Sequence, residues 1–164
     1  MFPGAHLESH GDKPALIMAG SGFTQTFAEL DAAANRLSRL LRAAGLQPGD
    51  HVAMCMENHD RYLEIVWGCH YAGLVYTCAS SRLTSNDLEY IINDCGARAY
   101  ITSKYKADQA AEVAATTPNV ELRLMLDGTI DGYESYETAV ASQSPEPLDE
   151  ERVAGLDMLY SSGT

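Results

Sequence analysis

Basic residues are scarce in this chain: 11 Lys and Arg stand against 23 Asp and Glu, a formal charge of −12. That balance excludes non-specific nucleic-acid binding, which needs a basic footprint. It also excludes electrostatic docking on anionic membranes; an acidic surface instead favours solubility. No apolar run approaches bilayer length, so no transmembrane segment is expected. The stretch Met1 to His10 has neither a basic start nor an apolar centre and does not read as a secretory leader. Cys-x2-Cys pairs are missing. Cys55, Cys69, Cys78 and Cys95 sit singly in apolar segments, as reduced core thiols do, rather than as a disulfide framework or zinc site. These features give a cytoplasmic expectation. There is no internal repeat, and no Gly-x4-Gly-Lys-Ser/Thr loop of the Walker type.

What is present is an ordinary globular mixture, 46% apolar and 21% charged over 164 residues, enough for one domain with a real core. His6-x-Glu8-x-His10 would share a helical face but lacks the His-Glu-x-x-His order, and Gly11 ends the turn; it reads as a frayed first turn. Pro14–Ala19 and Gly22–Thr26 read as a hairpin. Thr26 with Glu29 forms a capping box that starts a helix buried through Leu30, Ala33, Ala34, Leu37, Leu40 and Leu41 and closed by Gly45. Arg36, Arg39 and Arg42 read as its solvated face. His51–Met56 is the unbroken apolar run of a strand buried on both sides.

Asn58 or Asp60 then caps a deeply buried helix through Tyr71, with Trp67 as core. Leu74–Cys78 is the next strand. A second capping box, Thr84 with Asp87, opens a helix with Leu88, Ile91, Ile92 and Cys95 on one stripe. Ala97–Thr102 and Val120–Leu126 are strands around an alanine-rich helix, Lys104–Thr116. Tyr133–Ala141 is a short helix. Residues 142–152, with two prolines and several acids, form an exposed linker. Val153–Tyr160 returns to the sheet as a buried strand and delivers Ser161-Ser162-Gly163-Thr164. Glycine permits close backbone approach to a phosphate, and hydroxyl and N–H groups donate to its oxygens. Alternating strands and helices predict an α/β fold, a doubly wound, mainly parallel sheet flanked by helices, with ligands beyond the carboxyl ends of its strands.

Five stretches in order carry a family resemblance: Thr26-Phe-Ala-Glu-Leu30, Gly45-Leu-Gln-Pro-Gly-Asp-His-Val-Ala53, Asn58 with the Gly68-x-x-x-Ala72-Gly73 run to Ala79, Leu83–Thr102, and Tyr160-Ser-Ser-Gly-Thr164. The last resembles the opening of Tyr-Thr-Ser-Gly-Thr-Thr-Gly-x-Pro-Lys-Gly. Together the chain resembles the N-terminal part of the AMP-forming acyl-CoA synthetases of the adenylate-forming superfamily. The resemblance implies a parent enzyme that joins a carboxylic acid, such as a fatty acid, to CoA through an acyl-adenylate, using ATP and Mg²⁺. It implies that Ser161, Ser162, Gly163 and Thr164 contact the ATP phosphates and that Ser161 helps ligate Mg²⁺. It also implies that residues 1–164 are an N-terminal subdomain cut inside the phosphate loop. The chain then holds no catalytic residue, is inactive alone, and self-associates through apolar surface left exposed. Other readings are an aryl or amino-acid adenylating enzyme and a non-catalytic α/β partner-binding module.

Overall fold

A computed structural model of the chain describes residues 2–150 and 152–161. The chain opens with a 3₁₀ turn, Pro3–His6, and one helical turn α1, Leu7–His10. The His6 and His10 rings lie 6.1 Å apart, and His10 Nδ1 pairs with Ser9 Oγ. Strands β1 (Pro14–Ile17) and β2 (Thr24–Thr26) make a separate antiparallel hairpin, shorter at both sides of the turn than the apolar pattern suggests.

Six parallel strands then form the main sheet in the order β7-β6-β5-β3-β4-β8: β3 His51–Cys55, β4 Val75–Ala79, β5 Ala97–Ser103, β6 Leu122–Leu126, β7 Glu134–Ser135 and β8 Leu156–Asp157. Helices α2 (Phe27–Ala43), α3 (Tyr62–Tyr71) and α6 (Tyr136–Ala141) cover one face, and α4 (Ser85–Asp94) and α5 (Ala107–Ala114) the other. Strand alternation divides the core accordingly. Val52, Met54, Ile101 and Leu124 meet the first layer, while Ala53, Cys55, Tyr100 and Met125 meet the second. The doubly wound arrangement is thus the one the alternation of patterns predicts. β3 is buried on both faces, as its unbroken apolar run requires.

The two capping boxes form as expected, with Glu29 N donating to Thr26 Oγ1 at 3.2 Å and Asp87 N to Thr84 Oγ1 at 3.3 Å. Gly45, Gly73 and Gly96 close their helices at φ of 93°, 75° and 65°. Neither Asn58 nor Asp60 caps α3. Its N-cap position is Arg61, with no side-chain cap bond, because the preceding loop is held by His59 instead: Arg61 N donates to His59 Nδ1 at 3.1 Å and Tyr62 N to His59 O at 3.1 Å. The deeply buried residues of α3 are Glu64, Ile65, Gly68, Cys69 and Tyr71. Trp67 is only half-buried and stacks on His70, ring centres 5.1 Å apart. The expected helix at Lys104 begins as a 3₁₀ turn, Lys104–Lys106, and ends at Ala114, while Glu134–Ser135 adds to the sheet before α6.

Arg36, Arg39 and Arg42 are not simply solvated. They run along one side of α2 and clasp the segment beyond α6. Arg36 donates to Gln143 O, Arg39 Nε to Glu146 O at 2.8 Å, and Arg42 pairs with Glu150 at 2.6 Å. Most side chains of residues 142–150 are exposed, yet the backbone is tied to α2 through carbonyls that the composition alone does not reveal as acceptors.

Candidate nucleotide-binding edge

β8 is a two-residue strand at the sheet edge, paired parallel to β4 through Val75↔Leu156 and Tyr76↔Asp157. The expected buried strand over Val153–Tyr160 does not form. Leu156 is 64% exposed and Leu159 79% exposed, because no strand among the described residues lies outside β8 and no helix covers it. An apolar run reports affinity for a core; it does not report whether a covering layer is in place.

What holds β8 is backbone. Gly155 N donates to His70 O at 3.0 Å, Leu156 N to Leu74 O at 3.1 Å and Met158 N to Tyr76 O at 2.8 Å. Gly155 lies so close to α3 that a Cβ would sit 2.8 Å from His70 Cα and against Leu74 O, so only glycine fits. His70 completes the join. Gly155 O lies 2.8 Å from its Nδ1 and the Tyr76 phenol 3.2 Å from its Nε2. A carbonyl can only accept, so Nδ1 carries the hydrogen and Nε2 accepts from Tyr76 O–H. Burial, then the Asp157 carboxylate, pushes the Tyr76 phenol up to about 12, so it stays a donor at neutral pH.

Beyond β8 the chain passes over the carboxyl end of β4 toward α4. Tyr160 Oη donates to Asp94 Oδ2 at 2.5 Å, and desolvation followed by that bond raises its pKa. Tyr160 and Ser161 line a cavity of about 500 Å³ between the end of β4 and α4, with Thr77, Ser80 and Asp87. Ser161 is exposed. Ser162, Gly163 and Thr164 lie outside the described residues.

Whether this edge suits a nucleotide phosphate can be judged from its donors. Thr77 Oγ1 is buried beside the cavity with no hydrogen-bond partner among the described residues, and the Ser80 and Ser161 hydroxyls stand beside it. Hydroxyls of this kind fit phosphate oxygens. Among the described residues lining the cavity none is Lys or Arg, and the Asp87 carboxylate is occupied by its own cap, accepting from Thr84 Oγ1 at 2.7 Å. The donor set therefore fits the hydrogen-bonding half of the task, and positive charge has to come with the ligand or from elsewhere.

The description AMP-binding enzyme matches residues 5–164. The chain belongs to that family of adenylate-forming enzymes. It is 30% identical over 169 residues to a medium/long-chain-fatty-acid–CoA/3-oxocholest-4-en-26-oate–CoA ligase of Mycobacterium marinum, a match over 96% of this chain and 30% of the relative. It is 39% identical over 101 residues to a feruloyl-CoA synthase of an Amycolatopsis species, over 62% of this chain and 21% of that one. Its fold superposes on the crystal structure of an anthranilate CoA ligase in complex with anthranoyl-AMP with a TM-score of 0.85 at 21% identity, over 98% of this chain and 30% of that chain. The chain thus spans less than a third of the length of the curated relatives it matches. No helix among the described residues is long and apolar enough to cross a membrane.

Proposed function

We propose that this chain is the N-terminal subdomain of a cytoplasmic, ATP-dependent acyl-CoA synthetase that converts a fatty acid, ATP and CoA to acyl-CoA, AMP and pyrophosphate through an acyl-adenylate. The supporting observation is the match over residues 5–164 combined with a β8 parallel to β4 whose continuation, Tyr160 and Ser161, lines a cavity with Ala79 and Ser80 at the carboxyl end of β4.

In this reading Ser161, Ser162, Gly163 and Thr164 hold the phosphates through hydroxyl and N–H donors. Ser161 is in addition a candidate Mg²⁺ ligand. Mg²⁺ bound with the nucleotide supplies the charge neutralisation that the described cavity lacks. The contribution of this chain is positioning. Gly155 and His70 fix where the strand docks on the end of α3, and Tyr160 on Asp94 fixes where the loop begins. The segment 142–152, strapped to α2, is the exposed connection that precedes this strand.

The test has two arms. The 164-residue chain alone, incubated with ATP, Mg²⁺, CoA and a panel of fatty acids, is expected to give no thioester. The longer protein that carries it is expected to exchange pyrophosphate into ATP only when a fatty acid is present, and Ser161→Ala is expected to lower that rate about a hundred-fold, the size of effect lost with one oxyanion donor. Thioester formation by the short chain sinks the proposal. The aryl-acid reading, favoured by the 39% identity to a feruloyl-CoA synthase, predicts exchange with cinnamic-type acids and none with fatty acids.

A further inference from the structure

The strand order creates a second crevice. The chain runs from β3 through α3 to β4 on one side, then crosses back through α4 to β5 on the other side of β3 and continues outward to β6. The order therefore reverses between β3 and β5, and the helices that follow these two strands, α3 and α5, lie on opposite faces. In open α/β sheets ligands bind at the carboxyl ends of the strands where such a reversal occurs.

This crevice carries metal-ligating side chains. Glu57 follows β3, and its Oε2 accepts a hydrogen bond of 2.5 Å from the hydroxyl of Ser103, the last residue of β5. His59 lies two residues further on. Asp127 is the first residue beyond β6 and holds φ at 60°, with its N–H donating to Glu137 Oε1 at 3.1 Å. Glu57, His59 and Asp127 each present one ligand atom to a common space, all within 4.8 Å of one another. His59 is half-buried, and its Nε2 faces Asp127 Oδ2 at 3.0 Å. On the other side of the ring, Asp60 Oδ1 is 2.9 Å from Nδ1.

We propose that Glu57, His59 and Asp127 bind a divalent transition-metal ion of the Zn²⁺ type. An imidazole nitrogen with two carboxylate oxygens is the donor set such ions take. Nε2 and Oδ2, now hydrogen-bonded at 3.0 Å, need to part only to about 3.4 Å, the separation of two tetrahedral ligands each about 2.1 Å from one ion. Small rotations of Glu57 and of the exposed Asp127 close the remaining gaps. Asp60 Oδ1, 2.9 Å from Nδ1, is the carboxylate placed to take the ring hydrogen once Nε2 binds an ion, in exchange for the Arg61 N–H bond that Nδ1 accepts in this structure. Without a cation in that space Nδ1 accepts from Arg61 N–H and the Nε2 hydrogen is donated to Asp127 Oδ2 at 3.0 Å. The charge balance agrees. Three carboxylates, Glu57, Asp60 and Asp127, surround one imidazole, and the neighbouring cation, Arg61, is engaged by Glu64 at 3.0 Å with Glu137 at 4.0 Å. Three protein ligands leave at least one position to water, so the ion joins the loops after β3 and β6 and remains open to a further ligand. The site stands independently of the nucleotide reading, two strands away from β8.

Titration of the metal-stripped 164-residue chain with Co²⁺ tests this. The expected result is one equivalent bound with a visible d–d band, displaced by Zn²⁺. His59→Gln and Asp127→Asn are each expected to weaken binding at least a hundred-fold, and Asp60→Asn ten- to a hundred-fold. Asparagine tolerates the left-handed backbone at position 127, which protects that variant's fold. The His6→Gln/His10→Gln double variant is expected to bind like the unaltered chain. In the unaltered chain, Co²⁺ is expected to shift the ring protons of His59 before those of any other histidine, a readout that needs no variant. Absence of uptake at micromolar metal, full uptake by the His59→Gln and Asp127→Asn variants, or shifts centred on another histidine overturns the assignment.

Discussion

Glu64 is 2% exposed on α3 and serves three elements at once. Its Oε1 accepts from Arg61 Nη1 at 3.0 Å and from the Tyr136 hydroxyl at 2.9 Å, and its Oε2 from Gln25 Nε2 at 3.4 Å. A buried carboxylate is tolerated only when its lone pairs are filled in this way. Glu64→Ala leaves a fully buried phenol without an acceptor and a half-exposed guanidinium without its partner. The expected loss is about 2–4 kcal/mol, measured by urea unfolding. The sequence hides this residue because its partners Gln25 and Tyr136 lie 39 and 72 positions away. The Glu57–His59–Asp127 group is hidden for the same reason: His59 and Asp127 are 68 positions apart and meet only through the strand order. The Ser161 proposal, in contrast, rests on a local signal, the run Ser161-Ser162-Gly163-Thr164.

At the scale of elements, α2 and α3 meet through a glycine. A Cβ on Gly68 would stand 2.7–2.8 Å from Leu37 Cβ, Cγ and Cδ2. Real side-chain carbons do not approach so closely, so Gly68→Ala forces the helices apart although it favours the helix itself. The expected net cost is about 1–3 kcal/mol, and Gly68→Ala combined with Leu37→Ala is expected to recover less than the sum of the two single losses, a coupling that a double-mutant cycle reads. The elements were readable where their signals are short-range. Thr26 with Glu29 and Thr84 with Asp87 fix two helix starts within four residues, and Gly45, Gly73 and Gly96 fix three ends. They were unreadable where tertiary contacts decide. β8 shortens to Leu156–Asp157 because it has no outer neighbour among the described residues, and Arg36, Arg39 and Arg42 turn from a solvent face into a clasp because a distant segment returns to them.

The whole molecule keeps its acidic protons unusually well. Burial raises the Cys69 thiol and the Tyr100 and Tyr136 phenols above their ordinary values of 9.0 and 10.0; for Tyr136 the neighbouring Glu64 adds to the effect. A raised folded-state pKa contributes stability that is whole below the unfolded value and is lost as pH climbs through the interval above it, because the unfolded chain then releases protons the folded one retains. The urea midpoint is therefore expected to hold steady to about pH 8.5 and to fall by pH 10.5. The exposed outer edge of β8, with Leu156, Leu159 and Val153, is a template for strand pairing. Sedimentation is expected to show reversible association that rises with concentration and weakens when Leu156 is replaced by Lys; a strict monomer at all concentrations counts against it. The slot at Gly155 also ties β8 to α3 and β4. The backbone at Gly155 lies against His70 and Leu74 with no room for a methyl group, so its seat exists only where α3 and β4 supply both walls. β8 is short, exposed and paired on one side only, so the amides of Leu156 and Met158 are expected to exchange with deuterium ahead of those of β3 and β5. Tyr160 and Ser161, which continue from that strand, are expected to exchange at its rate rather than at that of the central strands.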